Sequence, residues 1–437
     1  MRIYLDTIGC RLNQAEIERM ARQFRAAGHE IVATAAEADL TVVNTCTVTS
    51  AAASDSRARI RSAARSGTGE VVVTGCWATL VPQQALDLPG VKRIVSNDQK
   101  DSLVEATLHV PLSAFNLEPI ARQMLPGLRQ RTRAFIKVQD GCDNACTFCI
   151  TTVARGAGRS RPIRDVLADI HSALMGGSKE IVLTGVHLGS WGQEWGMHLR
   201  TLIQAILTDT DTPRLRLSSL EPWDLDVDFF RLWEDARLMP HLHLPLQSGC
   251  AATLRRMARK TTPAAFRALV AAARQAIPGV AITTDVIAGF PGESEAEFNE
   301  SLAFIREIEF AGGHAFTYSA RPGTPAARMK GSVPHPIRKQ RNALLRQAFA
   351  EMSAAYRQGF IGRSLPVLWE TSSQMDEDGW QMEGLTGNYI RVTALMPVPR
   401  WNQVDIVELE RLNGDRMEGR LVGDFSPRPL PRQITHP

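Results

Sequence analysis

The chain has 437 residues, 44% of them hydrophobic and 22% charged, and is mildly basic at a net charge of +4. This is an ordinary globular composition, with core material for about two to four domains. No apolar run reaches the roughly 18 residues that span a bilayer, and the opening MRIYLDTIGC lacks a charged-then-apolar leader. The expected setting is cytoplasmic, where clustered cysteines bind metal or do chemistry rather than form structural disulfides.

Residues 1–107 alternate strand and helix patterns. RIYLDT reads as a strand, Asn13 with Glu16 as a capping box, and Ile17, Met20, Ala21 and Phe24 as one helical face that ends at Gly28. DLTVVNT and EVVVTG are apolar, β-branched runs of the kind buried in a parallel sheet. A small α/β domain is expected here.

Residues 108–133, with prolines, arginines and little periodicity, read as a linker. From 134 to about 360, strands near AFIKVQ, EIVLTG, RLRLSS, HLHLP, VAITTDVIAGF and HAFTYS alternate with helical patterns. Six such units predict a complete or partial βα barrel of the TIM type, closed by a long helix near 335–358. Residues 361–425 carry short strand-like runs, LPVLWE, YIRVTAL, QVDIVELERL and RMEGRLV, which fit a small β-barrel. The proline-bearing tail, 426–437, reads as loose.

Six of the seven cysteines form two sets. Cys142, Cys146 and Cys149 are spaced C-x3-C-x2-C, with no fourth Cys or His nearby. Cys10, Cys46 and Cys76 each follow a predicted strand, at the sheet edge where open α/β folds bind ligands. Each set supplies three ligands. A structural zinc site is normally closed by four, so zinc requires a remote fourth ligand. A 4Fe–4S cluster held by three thiolates leaves one iron open to a substrate or cofactor. For the earlier three, a trio of small buried side chains is the alternative. Cys250 has no partner by spacing.

C-x3-C-x2-C with Phe148 before its last cysteine, after the first strand of a βα barrel, resembles the radical S-adenosylmethionine (SAM) signature. With the three earlier cysteines and a terminal β-barrel, the chain resembles the methylthiotransferases over about residues 1–425. RGAGRSRP, LTGVHLG, LSSLEP, HLHLPLQSG and TTDVIAGFPGE read as family segments, and GCRLNQAE resembles the branch acting on threonylcarbamoyladenosine in tRNA. CITTVARG departs from the family pattern at Thr152 and Val153.

The resemblance implies two 4Fe–4S clusters. Cys142, Cys146 and Cys149 would hold the radical SAM cluster, and Cys10, Cys46 and Cys76 an auxiliary one. It also implies SAM as cofactor, a TRAM-like RNA-binding barrel at 361–425, and methylthiolation at C2 of N6-threonylcarbamoyladenosine, position 37 of tRNA. One SAM would methylate sulfur at the auxiliary cluster and another would generate the radical that takes the C2 hydrogen. An electron donor such as a flavodoxin or ferredoxin system is needed. Alternatives are isopentenyladenosine in tRNA, a ribosomal-protein aspartate, or a zinc-dependent RNA-binding protein. No oligomeric state follows.

Further candidates for SAM or base contacts are Phe148, Thr184, Glu221, Gln247, Asp285 and Gly289, most of them at predicted strand ends of the barrel, with Gly292 beside them. His241 and His243 alternate on one strand, where packing or hydrogen bonding is a better reading than metal. Trp380 and Trp401 fit core packing better than base stacking. The arginines of 122–133, 155–164 and 336–347 are candidate phosphate contacts.

Overall fold

The structure, a computed structural model, describes residues 1–47, 49–67, 69–109, 122–123, 125–126, 132–375 and 379–424. It divides into two compact units, 1–353 and 354–437. Most of the expected linker, and the tail from 425, lie outside the described residues.

The first unit opens with strand β1 (Arg2–Thr7), helix α1 (Arg11–Ala26), β2 (Glu30–Ile31), β3 (Leu40–Thr45), α2 (Ser50–Ser66), β4 (Glu70–Gly75), α3 (Cys76–Leu80) and β5 (Val91–Val95). The strands form one parallel sheet in the order β2-β1-β3-β4-β5. All of β3 is buried because helices cover both faces. Val42 packs with Ile17 and Phe24 of α1, while its neighbour Val43 packs with Ile60 of α2. This is why the strand reads as continuously apolar.

The capping box expected at Asn13 and Glu16 is not one. Cys10 is the N-cap of α1, and both residues are buried inside the helix. Gly28 does follow the helix end in the left-handed region, at φ 78°.

The barrel follows: β6 (Arg133–Lys137), α4 (Ile163–Met175), β7 (Glu180–Thr184), α5 (Leu199–Asp209), β8 (Leu215–Leu217), β9 (His241–His243), α6 (Pro263–Ala276), β10 (Ala281–Ala288), α7 (Glu295–Ile308), β11 (Gly312–Thr317) and α8 (His335–Gln358). Two parallel three-stranded sheets, β8-β7-β6 and β9-β10-β11, are joined by parallel bridges Leu215–Leu238 and Ser219–His243. The six strands thus run in sequence order as a partial barrel. Its main core lies between strands and helices, built on Ile136, Ile181, Leu183, Leu217, Leu242 and Ile282 against Ile170, Leu202, Phe266 and Ile305.

The second unit holds β12 (Ser364–Met375), β13 (Gly379–Thr386), β14 (Arg391–Met396), β15 (Val404–Asn413) and β16 (Arg416–Asp424), closed in the order β12-β13-β14-β16-β15. The sequence reading lacked β13, whose GWQMEGLT carries two glycines and alternates weakly. Trp369 is fully buried and its Nε1 donates to Asp405 Oδ2 at 2.8 Å, giving the small core a satisfied polar anchor. Trp380 packs against this core, and Trp401 is half-buried in a turn.

Candidate active site

Register brings the first three cysteines together. Thr7 pairs with Asn44 and Thr45 with Gly75, so β1, β3 and β4 end side by side and the chain leaves each strand toward a cysteine. Gly9 has φ 104°, and a Cβ on it would stand 2.6 Å from Cys46 Sγ. Only glycine lets the Cys10 loop pass that close. Asn13 Nδ2 donates to Ile8 O at 2.7 Å and Thr45 O at 3.1 Å, tying the loops that bear Cys10 and Cys46. Asn97 Nδ2 donates to Cys76 Sγ at 3.6 Å and to Ala154 O at 2.7 Å. Cys46 and Cys76 are buried and Cys10 is exposed, so the group opens to one side.

The second set lies on an irregular loop after β6. Gly141, at φ 69°, turns the chain where a Cβ would collide with Ala157 O at 1.8 Å. Cys142, Cys146 and Cys149 are all half-buried. Asn144 N donates to Cys142 Sγ at 3.4 Å, and Arg259 Nη1 to Cys146 Sγ at 3.7 Å. Burial pushes the Cys146 thiol up, and Arg259 pulls it back.

Arg259 is itself fixed. Its Nη2 donates to Glu221 Oε2 at 2.6 Å and Pro245 O at 2.5 Å, and its guanidinium lies 4.4 Å from the Trp223 ring centroid. His187 stands beside Cys142 with Nε2 at 2.6 Å from Asp224 Oδ2. Burial disfavours its cation, but hydrogen bonds with Asp224 and Cys142 lift its pKa to about 10. Two cations therefore face these sulfurs, an arrangement suited to thiolate ligands. Among the described residues, no three His, Cys, Asp or Glu side chains group closely enough for a single metal ion. The donor chemistry, three thiols backed by cations, fits a 4Fe–4S cluster with one open iron.

Between the two sets lies a buried ion cluster that the sequence reading missed. Glu16 Oε1 accepts from Arg155 Nη1 at 2.9 Å and Lys137 Nζ at 3.3 Å, and its Oε2 accepts from Lys100 Nζ at 2.9 Å and Asn44 Nδ2 at 3.1 Å. Arg155 also donates to Asp140 Oδ1 at 2.8 Å and Asn13 Oδ1 at 2.9 Å. Burial alone would raise the Glu16 carboxyl, yet Arg155, Lys100 and Lys137 hold it well below the usual range. Unpaired, any of these charges would cost several kcal/mol in such a place. The cluster joins α1, which starts after Cys10, to residues on both sides of the 142–149 loop.

The lumen beside this loop is lined from β9, β10 and β11. His241 Nε2 and His243 Nδ1 meet Thr283 Oγ1 at 3.1 and 2.9 Å. Asp285 lies 3.3 Å from His243 Nε2 and 3.1 Å from His314 Nδ1. His314 and Phe316, alternate residues on β11, are both exposed. Burial disfavours the cation of His241 and the hydrogen bond with Asp285 favours that of His314; the Arg11 charge is a smaller influence against both cations.

The other expected contacts resolve individually. Thr184 is buried at the end of β7 and its carbonyl accepts from Val138 N. Gln247 has φ 72°, with its backbone bonded to Asp285 O and Ile287 N. Phe148 packs edge-on against Phe290 in an apolar cluster with Met257 and Tyr318. Gly289, at φ 72°, has Arg338 beside it, whose Cγ would lie 2.2 Å from an added Cβ, and its N–H donates to Glu293 Oε2 at 2.8 Å. Gly292, at φ 77°, donates its N–H to Gly331 O at 2.7 Å. Cys250 is buried with its thiol 3.1 Å from Glu300 Oε2.

The arginine stretches also divide. Arg155, Arg161 and Arg341 are committed to Glu16, Asp169 and Glu293, so they are not phosphate contacts. Arg164 remains exposed. Residues 127–131 lie outside the described residues.

Comparison with known proteins agrees with this geometry. Residues 2–96 match the family described as "Uncharacterized protein family UPF0004" and residues 136–305 match the Radical SAM superfamily. The chain is 37% identical over 376 residues to the threonylcarbamoyladenosine tRNA methylthiotransferase MtaB of Thermotoga maritima, covering 84% of this chain and 86% of that protein. It is 35% identical to the Bacillus subtilis protein of the same name, over 89% of both chains. It is 30% identical to a tRNA-2-methylthio-N(6)-dimethylallyladenosine synthase of Maricaulis maris, over 97% of both. Among solved structures, the radical SAM methyltransferase TsrM of Kitasatospora setae matches the fold at TM-score 0.58 and 15% identity, over 75% of this chain and 77% of that one. With both family regions matched and such relatives along most of its length, the chain belongs to the radical SAM methylthiotransferases.

Proposed function

We propose that the protein methylthiolates C2 of N6-threonylcarbamoyladenosine at position 37 of tRNA. The observation that supports the reading is the closeness of two three-cysteine sets: Asn97 Nδ2 donates both to Cys76 Sγ and to Ala154 O of the short helix that follows Cys149. Relatives named for this reaction on this nucleoside are 32–37% identical over most of the chain.

In this assignment Cys142, Cys146 and Cys149 hold the cluster that takes SAM, and Cys10, Cys46 and Cys76 hold the auxiliary cluster. With SAM bound, such a pair supplies the radical that removes an unactivated C–H hydrogen and the sulfur that replaces it. The chain's own part is placement. Arg259 and His187 put positive charge beside the SAM-side thiolates. Glu221 and Asp224 orient those two cations, and the buried ion cluster fixes one cysteine set against the other. Thr184, Gln247 and Asp285 line the barrel end where SAM and the base enter.

The boundaries 1–107, 134–360 and 361–425 are the corresponding functional divisions, the last gripping RNA. The enzyme works in the cytoplasm with a low-potential donor of the flavodoxin or ferredoxin class. The test is turnover of an anticodon stem-loop bearing threonylcarbamoyladenosine, with SAM and reductant, read by mass. The product gains CH2S. Conversion of an isopentenyladenosine stem-loop in its place would overturn the substrate assignment.

A further inference from the structure

We propose that Phe316 is the platform on which the adenine ring of the target nucleotide stacks inside the barrel. The inference deepens the proposed function and rests on its substrate being an adenosine of tRNA. It needs only the flat ring, so it holds for either N6 arm.

Alternation and register decide where Phe316 points. On β10, Ile282, Val286 and Ala288 are buried in the main core, together with Phe266 of α6 and Ile305 of α7. Thr283, Asp285 and Ile287 therefore face the lumen. Register pairs Asp285 with His314 and Ile287 with Phe316. The contacts agree. Asp285 Oδ1 lies 3.1 Å from His314 Nδ1, and its Oδ2 lies 3.3 Å from His243 Nε2. Ala315, between His314 and Phe316, packs against the main core instead. The lumen of a βα barrel is normally filled by layers of packed side chains. Here Phe316 stays 44% accessible on the inner face, with its ring centroid 6.2 Å from that of His314. An aromatic face left bare inside a barrel is a surface for another flat ring.

Two further observations place this surface near the reaction and open to RNA. Ile287, the register partner of Phe316, packs against the same apolar cluster as Phe148, the residue before Cys149. The platform therefore adjoins the wall that carries the SAM-side cysteines. Strand β11 is also the last of its sheet, in the order β9-β10-β11. Among the described residues no strand pairs with its other edge, so the barrel is not closed on this side. A base swung out of an RNA loop can enter there. The adenine of SAM is the same flat ring from another source. The open edge favours the base of the macromolecule, and the test separates the two.

The test measures equilibrium binding by the cluster-loaded enzyme, with no reductant present, to two anticodon stem-loops. One carries threonylcarbamoyladenosine at position 37 and the other an abasic site there. Wild type should bind the first about fivefold to a hundredfold tighter, the scale of stacking one base on one aromatic ring. Phe316→Leu should lose about fivefold or more of that preference. Its binding of the abasic stem-loop, its SAM affinity and its iron content should not change. Phe316→Trp, which keeps an aromatic face, should retain the preference. Equal binding of the two stem-loops by wild type would overturn the platform, and so would an undiminished preference in Phe316→Leu. A Phe316→Leu variant that loses SAM affinity with its RNA preference intact would overturn it too, by assigning the ring to the adenine of SAM. Equal weakening toward both stem-loops would overturn it as a general effect on RNA binding. Turnover separates this from failure of the underlying reading. A wild type that methylthiolates the first stem-loop yet binds the two alike sinks the platform alone, whereas one that methylthiolates no adenosine stem-loop sinks both.

Discussion

Glu16 and Arg155 are 139 positions apart in sequence and 2.9 Å apart in the fold, each with 2% of its side chain accessible. Their contact pins the helix that starts after Cys10 to the short helix, Thr151–Arg155, that follows Cys149. The two cysteine sets therefore share a floor of paired charges. Replacing Glu16 by Gln leaves Lys100, Lys137 and Arg155 short of a counter-charge in a dry interior. We expect a loss of about 3–5 kcal/mol in denaturant unfolding. A loss below about 1 kcal/mol would mean that water reaches the cluster.

Gly9 gives a sharper test of the auxiliary site. Alanine there meets Cys46 Sγ at 2.6 Å and is strained at φ 104°. Gly9→Ala should lower bound iron from about eight to about four atoms per chain, with the Cys142–Cys149 cluster retained. Eight irons in the variant would show that Cys46 is not a ligand.

Arg259 should tune the other cluster. Its cation lies 3.7 Å from Cys146 Sγ and is held there by Glu221. Arg259→Gln removes positive charge beside an anionic centre, so the midpoint potential of that cluster should become more negative and SAM affinity should fall, with iron content unchanged. An unchanged potential would reduce Arg259 to a packing residue.

Acid should loosen the joint between the two halves of the first unit. Asp169, on α4, pairs with Arg22 of α1 and with Arg161. Burial raises its carboxyl, but Arg161 and Arg22 outweigh this and lower its pKa from 3.8 to about 2. A depressed carboxylate stabilises above its unfolded pKa and loses that contribution as pH falls through the folded one. The stability difference between wild type and Asp169→Asn should be about 2 kcal/mol at pH 6 and should shrink between pH 4 and pH 2. A difference that does not change with pH would contradict the ion pair.

Much of this was legible in the sequence, and the reason is local. Strands β3 and β4 announce themselves because a strand buried on both faces is continuously apolar, whereas β1 shows as alternation, and a Gly or Thr stands directly before each cysteine. Of the six barrel strands, β7 is visible for the same reason, whereas β9 and β10 show as alternation of apolar and polar residues. The ion cluster was not visible. Glu16 lies on a helix and Arg155 in an arginine-dense stretch, where each charge reads as solvated, and only tertiary packing supplies its partner. His187 and Arg259 were hidden likewise. Their value lies in Asp224 and Glu221, which are 37 and 38 residues away. Asn13 and Glu16 mimicked a capping box because capping residues and buried polar residues share chemistry, and the true start at Cys10 carries no side-chain cap.

The modified nucleosides of bulk tRNA from cells with and without this gene decide the substrate and the reaction together. Without the gene, 2-methylthio-N6-threonylcarbamoyladenosine should disappear and N6-threonylcarbamoyladenosine should accumulate, and a gene encoding Cys46→Ala should fail to restore the product. An unchanged level of the methylthiolated nucleoside would contradict the proposed function.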